Sequence, residues 1–224
     1  VGERRVAGGV RMFDAVIFDM DGLLLDTERL ALESGLEALV GLGHDVDRAF
    51  MLSLVGIDAQ EGHRRLTAHL GEDWAFGPFD AAWNTAYRKR LSGGIPVKPG
   101  VETLLLHLDD ARIPRAVATN SRTAAAEGKL HEAGLRGWFG HIAGVDSVPK
   151  PKPAPDVYLR AAGAIGARPE RCLAFEDSDT GVRAALAAGM TVVQVPDLLP
   201  SSENRAHHTA ESLLEGARAC GLIP

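Results

Sequence analysis

Two aspartates directly follow the first strongly apolar run of the chain. The segment AVIFDMDG places Asp19 after four apolar residues and Asp21 two positions later. In an extended chain residues i and i+2 point to the same side, so both carboxylates can face one pocket, and Gly22 allows a sharp turn after them. One carboxylate could attack an electrophile while the other moves protons, and the pair invites a divalent cation, Mg²⁺ above all. Taken alone, the segment could equally be an acidic turn.

A hydroxyl-bearing segment and a lysine follow later apolar runs. Thr119, Asn120 and Ser121 come directly after the run AVA. At the end of a strand their hydroxyl and backbone N–H groups suit a phosphate oxygen, although the same residue types also make a good helix cap. Further on, the stiff segment VPKPKPAPD holds Lys152 just before a helix that begins at Asp156. This lysine could neutralise a phosphate or a nucleophilic carboxylate, whereas a lone lysine in such a loop is usually a surface residue.

A second acidic pair ends the fourth apolar run. The segment LAFEDSDTG delivers Glu176 and Asp177 at the end of the run, and Ser178 or Asp179 can cap the helix that follows. Either carboxylate of the pair could complete the ligand set of a metal. The four signals supply a nucleophile, a proton shuttle, a hydroxyl, a lysine and a metal ligand, which together predict a site for phosphoryl transfer.

The elements that must position these residues alternate between strands and helices. Apolar runs predict strands over residues 13–18, 115–118, 141–145, 173–175 and 191–195. Helical patterns that end at glycines predict helices over residues 123–133, 156–162 and 180–188. The alternation indicates an α/β protein with a Rossmann-like, doubly wound parallel sheet. The strands are continuous apolar runs, as in a sheet that is covered on both faces.

The interval between the first two strands interrupts this alternation. Residues 27–94 contain no convincing strand and predict a helical cap that is inserted into the core, which comprises residues 1–26 and 95–224. Residues 74–87 hold five of the aromatic side chains, and residues 1–11 are expected to be a tail. One apolar helix face is predicted from Leu32, Leu36, Leu39 and Val40.

Composition excludes several classes of protein. The 224 residues are 46% hydrophobic with a formal net charge of −6, which argues against a nucleic-acid surface. No apolar run approaches the roughly 20 residues that a membrane span needs, and two cysteines indicate no disulfide framework. We therefore expect a cytoplasmic protein with no membrane or nucleic-acid partner, and nothing in the sequence demands more than a monomer.

The four motifs resemble those of a known superfamily. FDMDGLLLDTE, ATNS, KPKPAPD and FEDSDTG are similar to the motifs of the haloacid dehalogenase superfamily, in particular its phosphatase and phosphoglucomutase-like branch with a helical cap. The resemblance implies that Asp19 is a nucleophile that forms an aspartyl-phosphate. It implies that Asp21 protonates the leaving oxygen and then activates water. Dehalogenase members lack an aspartate at the position of Asp21, so its presence favours phosphate chemistry.

The resemblance also implies roles for the other motif residues. Thr119 and Lys152 would hold the transferring phosphoryl group, and Gly22, Asn120 and Ser121 are assigned to phosphate binding, with the backbone of Asn120 assisting. The resemblance further implies that Mg²⁺ would be bound by Asp19, the backbone carbonyl of Asp21, and Asp177, with Glu176 as a supporting acid. The predicted substrate is a small phosphorylated metabolite such as a sugar phosphate, phosphoglycolate or a nucleoside monophosphate.

The same resemblance leaves a sugar phosphate mutase as an alternative. β-Phosphoglucomutases carry a histidine four residues after the threonine that matches Thr27, where this chain has Ala31. They also carry an arginine in the cap loop that follows Gly56, where this chain has none until Arg64. We therefore favour a phosphatase over a mutase, a non-catalytic binding module or a receiver-like domain. The cap residues that could choose the substrate, rather than pack or face solvent, are Asp58, His63, Arg64, Trp83 and Arg88.

Overall fold

The computed structural model describes residues 12–55, 59–71 and 74–224 of the protein. Within these residues, six parallel strands form a central sheet. In chain order they are β1 (Ala15–Phe18), β2 (Arg115–Ala118), β3 (His141–Ala143), β4 (Cys172–Glu176), β5 (Thr191–Gln194) and β6 (His208–Thr209). Their order across the sheet is β3-β2-β1-β4-β5-β6, so the direction of winding reverses beside β1. Ligands of open parallel sheets bind beyond the carboxyl ends of the strands at such a switch. The end of β1 is therefore the expected place for a site.

Helices cover both faces of this sheet. The described helices are α1 (Thr27–Gly41), α2 (Arg48–Leu52), α3 (Ala59–Leu70), α4 (Phe76–Leu91), α5 (Val101–Asp110), α6 (Thr123–Glu132), α7 (Asp156–Ala164), α8 (Asp179–Ala187) and α9 (Leu213–Ala219). Val16 and Phe18 of β1 join the apolar cluster that includes α5, α6 and α9. Ala15 and Ile17 point to the opposite face and pack with α7 and α8. The doubly wound α/β core that the continuous apolar strands predicted is confirmed.

The strand predictions were correct in number and position for β1 to β5, with shifts at their ends. The predicted strand 115–118 matches β2, while the strand predicted to begin at residue 13 begins at Ala15. β3 ends at Ala143, two residues before its prediction, and β4 extends one residue further at each end than predicted. The sequence did not predict β6, because its two exposed residues form no apolar run.

The four helices α1 to α4 lie between β1 and β2 in the chain, and we call them the cap. They share an apolar cluster of their own, in which Leu32, Leu39 and Phe79 are buried. Val40 is 67% exposed, so the predicted apolar face of α1 was wrong at that position. The Trp83 indole donates a hydrogen bond of 2.8 Å to the Ala31 carbonyl oxygen, which fastens α4 to α1. The cap boundaries at residues 27 and 94 stay a prediction.

Across the described ranges, no helix combines the length and the apolar character that crossing a bilayer requires.

Candidate active site at the strand ends

Asp19 is held in a buried position at the end of β1. Its backbone N–H donates to the Phe175 carbonyl oxygen, which continues the pairing of β1 with β4. Its carboxylate Oδ1 lies 2.5 Å from the Lys152 ammonium, which also contacts Glu176 Oε1 at 2.6 Å. Burial raises the pKa of Asp19 to about 8. The positive charge of Lys152 opposes this shift, and the negative charge of Glu176 adds to it. The structure therefore brings together the predicted nucleophile and the predicted lysine.

Two side chains hold Lys152 in this position. Asn120 Oδ1 accepts a hydrogen bond of 2.9 Å from the Lys152 backbone N–H, and its amide nitrogen lies 3.5 Å from the Lys152 carbonyl oxygen. The side chain of Asn120 thus anchors the lysine loop. The ring of Tyr158, a residue that sequence reasoning missed, lies 4.9 Å from the Lys152 nitrogen. Its hydroxyl donates to Glu176 Oε1 at 2.6 Å.

Three carboxylates with oxygens within 4.8 Å of one another could hold a metal ion, and we call Asp19, Glu176 and Asp177 the acidic cluster. Glu176 Oε2 accepts hydrogen bonds from the backbone of Asp177 and from both the backbone and the hydroxyl of Ser178. Burial raises the pKa of Asp177 well above its usual range, and the neighbouring carboxylates raise it further. Lys152 pairs with Asp19 and Glu176, so with all three carboxyl groups ionised the cluster would carry a surplus of two negative charges. Oxygen donors with this charge fit a divalent cation.

Glycine at position 22 makes room for this cluster. Its φ of +87° lies in the left-handed region, as the predicted sharp turn requires. A Cβ at this position would lie 2.4 Å from Asp177 Oδ2, so a side chain would displace that carboxylate. Gly22 therefore leaves the space that is occupied by the carboxylate of Asp177, a candidate metal ligand.

Asp21 is held by three donors outside the acidic cluster. Its Oδ1 accepts from the Thr27 hydroxyl at 2.6 Å and from the Lys129 ammonium at 2.7 Å, and its Oδ2 accepts from the Ser121 hydroxyl at 2.8 Å. Burial opposes ionisation of Asp21, but Lys129 and the hydroxyl donors outweigh it and lower the pKa of the carboxyl. Thr119 is buried beside them, and its hydroxyl oxygen accepts from the Ser121 backbone N–H at 3.0 Å. Sequence reasoning missed Lys129, because a lysine in the last turn of a helix usually faces solvent.

A cavity of about 280 Å³ lies between the cap and these core residues. Its lining residues are Asp21, Thr27, Glu28, Ala31, Trp83, Asn84, Tyr87 and Lys129. Burial raises the pKa of Glu28 to about 7, and the carboxylates of Asp21 and Asp197 add to the shift. Asp21, the acid–base candidate of the core, and several cap residues therefore line the same cavity, which could hold the leaving group of a substrate.

Some of the cap residues that were predicted to contact the substrate line this cavity, and others do not. Trp83 lines it, whereas the exposed His63 ring stacks on Phe76 at 4.1 Å between centroids. Arg64 forms an ion pair of 2.7 Å with Glu61, and neither His63 nor Arg64 is part of the lining. Arg88 is exposed on α4. Asp58 lies outside the described residues.

Comparison with known proteins places this chain in a family. The model of the haloacid dehalogenase-like hydrolases matches residues 13–189. A protein of Drosophila melanogaster named a probable pseudouridine-5'-phosphatase is 36% identical over 199 residues, which are 86% of this chain and 86% of that protein. The fructose-1-phosphate phosphatase YqaB of Escherichia coli K12 is 34% identical over 183 residues, with 82% of this chain and 96% of YqaB covered.

A solved structure agrees with these sequence relatives. The crystal structure of a HAD family hydrolase from Deinococcus radiodurans, with bound phosphate and sodium, has a TM-score of 0.79 and 30% identity. The match covers 94% of this chain and 97% of that one. The family that the four motifs predicted is confirmed: the chain belongs to the haloacid dehalogenase-like hydrolases and groups with relatives that are named as phosphomonoester phosphatases.

Proposed function

We propose that the chain is a Mg²⁺-dependent phosphatase that hydrolyses a small phosphorylated metabolite, a sugar phosphate or a similar phosphomonoester, through an aspartyl-phosphate on Asp19. The observation that carries this proposal is the buried contact between Asp19 and Lys152 beside the acidic cluster. A nucleophilic carboxylate can attack a phosphoryl group only where positive charge offsets the charge of both. The relatives named as phosphatases support the same reaction.

The proposed reaction has two chemical steps. In the first, an oxygen of Asp19 attacks phosphorus and the ester P–O bond breaks. Lys129 and the hydroxyl donors favour the ionised form of Asp21, so Asp21 must take up a proton before this step, and it then gives that proton to the leaving oxygen. In the second, Asp21 takes a proton from a water whose oxygen attacks the same phosphorus. This step releases inorganic phosphate and restores the Asp19 carboxylate. Lys152 and the Thr119 hydroxyl hold the phosphoryl oxygens in both steps.

The acidic cluster is the proposed metal site. Asp19 and Asp177, with the backbone carbonyl of Asp21, would hold Mg²⁺, and the nearby Glu176 would act as a supporting acid. When bound, the ion supplies positive charge to the phosphoryl oxygens. Oxygen donors and a surplus of two negative charges fit a hard divalent cation.

The cavity favours a neutral, hydroxylated leaving group. The Glu28 carboxyl and the Asn84 side-chain carbonyl can accept hydrogen bonds from hydroxyl groups, and the rings of Trp83 and Tyr87 offer apolar faces. The lysine in the described lining is already paired with a carboxylate, so it offers little to a second anionic group. These features suit a sugar or nucleoside better than a leaving group with a carboxylate or a second phosphate.

Hydrolysis is favoured over phosphoryl transfer between sugar hydroxyls. Ala31 presents a methyl group to the cavity at the position where the resemblance gives mutases a histidine. Arg64 is exposed and paired with Glu61, so it is not placed to bind a distal phosphate in this cavity.

Phosphate release from a panel of sugar, glycolate and nucleoside monophosphates, with Mg²⁺ and with chelator, tests the proposal. We expect release that requires Mg²⁺ and that falls more than about a thousandfold in Asp19→Asn, as nucleophile removal does in other enzymes. Asp45→Asn, the same change at an exposed aspartate of the cap, is the matched control and should match the wild type. Absence of release from every compound by folded protein would contradict the proposal, and interconversion of hexose 1- and 6-phosphates would then identify a mutase.

A further inference from the structure

Lys129 reaches the proposed acid–base residue from helix α6 of the core. Its ammonium nitrogen lies 2.7 Å from Asp21 Oδ1, across 108 positions of sequence. The lysine side chain is only 16% exposed. Holding a lysine in such a place is costly unless the charge is matched, and the Asp21 carboxylate matches it. None of the four motifs contains this residue.

The donors around Asp21 treat its two oxygens differently. Thr27 and Lys129 both donate to Oδ1, whereas Ser121 alone donates to Oδ2. A carboxylate oxygen offers about two acceptor positions. Oδ1 is therefore fully occupied, and Oδ2 keeps a position for a substrate oxygen or a water.

The cap contacts the same lysine. The ring of Tyr87, on cap helix α4, lies with its centroid 6.0 Å from the Lys129 nitrogen. This distance is within the range of a cation–π interaction. Lys129 thus touches Asp21 of the core and Tyr87 of the cap at once, and all three residues line the cavity.

We propose that Lys129 is a positioning residue for Asp21. Together with Thr27 it occupies Oδ1, so that Oδ2 is the oxygen that exchanges protons with the substrate. Tyr87 keeps the lysine in place, and the packing of the cap on the core therefore fixes the orientation of Asp21. The inference rests on the proposed function, because it requires Asp21 to protonate a leaving oxygen.

Two substrates with different leaving groups test this role. The first is the best sugar phosphate of the panel, whose alcohol leaving group needs a proton, and the second is p-nitrophenyl phosphate, whose leaving group departs as a stable anion. In Lys129→Met, kcat/KM for the sugar phosphate should fall about 10- to 100-fold, a part of what general acid catalysis contributes. For p-nitrophenyl phosphate it should change by less than about threefold, because no proton is needed.

Three further variants refine the test. Lys129→Arg should recover most of the activity, because it keeps the charge, and Tyr87→Leu should give a smaller loss with the same dependence on leaving group. Asp21→Asn combined with Lys129→Met should lose little more than Asp21→Asn alone, since the two residues act as one unit. Lys89→Met, the same change at an exposed lysine of α4 that is not part of the cavity lining, is the matched control and should keep the wild-type ratio between the two substrates. Thermal unfolding establishes that each variant is folded.

The outcomes separate this inference from the function on which it rests. Equal losses for both substrates in Lys129→Met would overturn it, as would no loss for either. Wild-type turnover that survives in Asp19→Asn would instead overturn the proposed function itself, and this inference with it.

Discussion

Binding of Mg²⁺ should stabilise the folded protein, and Asp177 should be required for this effect. The acidic cluster brings three carboxyl groups within 4.8 Å of one another in the folded state, so only the folded protein offers a divalent cation this set of oxygen donors. Once Mg²⁺ exceeds its dissociation constant, each further tenfold increase should add about 1.4 kcal/mol to the free energy of unfolding. For a chain of 224 residues, this is about 3–6 °C in Tm per tenfold step.

The measurement is a series of thermal unfolding curves from micromolar to millimolar Mg²⁺, with chelator as the starting point. Asp177→Asn should unfold at a higher temperature than the wild type in chelator, because it removes a carboxyl group that is unfavourable to ionise in the folded protein. It should also lose the dependence on Mg²⁺ over the range where the wild type shows it.

Asp179→Asn is the matched control, two positions away on the same segment. Asp179 accepts hydrogen bonds from Ser201, Ser202 and Gln194, and it is not part of the acidic cluster. This variant should lower Tm at every Mg²⁺ concentration and keep the wild-type slope. A wild type that is insensitive to Mg²⁺, or an Asp177→Asn protein with the wild-type slope, would refute the charge argument.

Three other changes probe the surroundings of the site. Glu28→Gln should remove one contribution to the pH dependence of stability. Because the folded-state pKa of Glu28 is raised to about 7, its contribution is greatest below pH about 4.5 and is lost as pH rises through 7. Relative to the variant, the wild type should therefore lose about 1–2 kcal/mol between pH 5 and pH 8 in urea unfolding. Tyr158→Phe should cost about 1.5–3 kcal/mol in urea unfolding, because it removes a buried hydrogen bond to a charged group while the ring remains; a cost below about 0.5 kcal/mol would contradict this. Gly22→Ala should nearly abolish phosphate release, because the added Cβ would displace the Asp177 carboxylate. Gly43 has a similar φ of +84° but no neighbouring atom within 4 Å, so Gly43→Ala is the control. Gly43→Ala should retain activity and cost only about 1–2 kcal/mol of stability.

The core of the site could be predicted from the sequence because its residues lie at the ends of strands. Asp19 and Asp177 each follow a continuous apolar run, and the parallel sheet brings the carboxyl ends of those runs together. Lys152 could be predicted from the proline-rich loop that stiffens its position. The alternation of strand and helix indicated that the strands are parallel, but the order that places β1 beside β4 came only from the structure.

The rest of the site could not be predicted because its residues lie within helices and not at the ends of strands. Lys129 and Tyr158 lie in α6 and α7, where a single polar or amphipathic side chain does not reveal whether it faces solvent or a buried carboxylate. Their partners are Asp21 and Glu176, which are 108 and 18 positions away, and no local pattern connects them. The choice of Trp83 and not His63 at the cavity depends likewise on how the cap helices pack.

The hydrogen bonds distinguish the carboxylates that build the site from those that remain available for chemistry. Glu176 accepts from the Lys152 ammonium, the Tyr158 hydroxyl and three donors of residues 177 and 178, so its acceptor positions are filled. Within the described part of the chain, no donor reaches the Asp177 carboxylate, and Asp19 accepts only from Lys152. Open acceptor positions on the buried Asp19 and the half-buried Asp177 are unfavourable, and they leave both carboxylates available to a ligand. A metal ion could use the open positions of both, and Asp19 could attack phosphorus, which supports the direct roles proposed for Asp19 and Asp177 and the supporting role of Glu176.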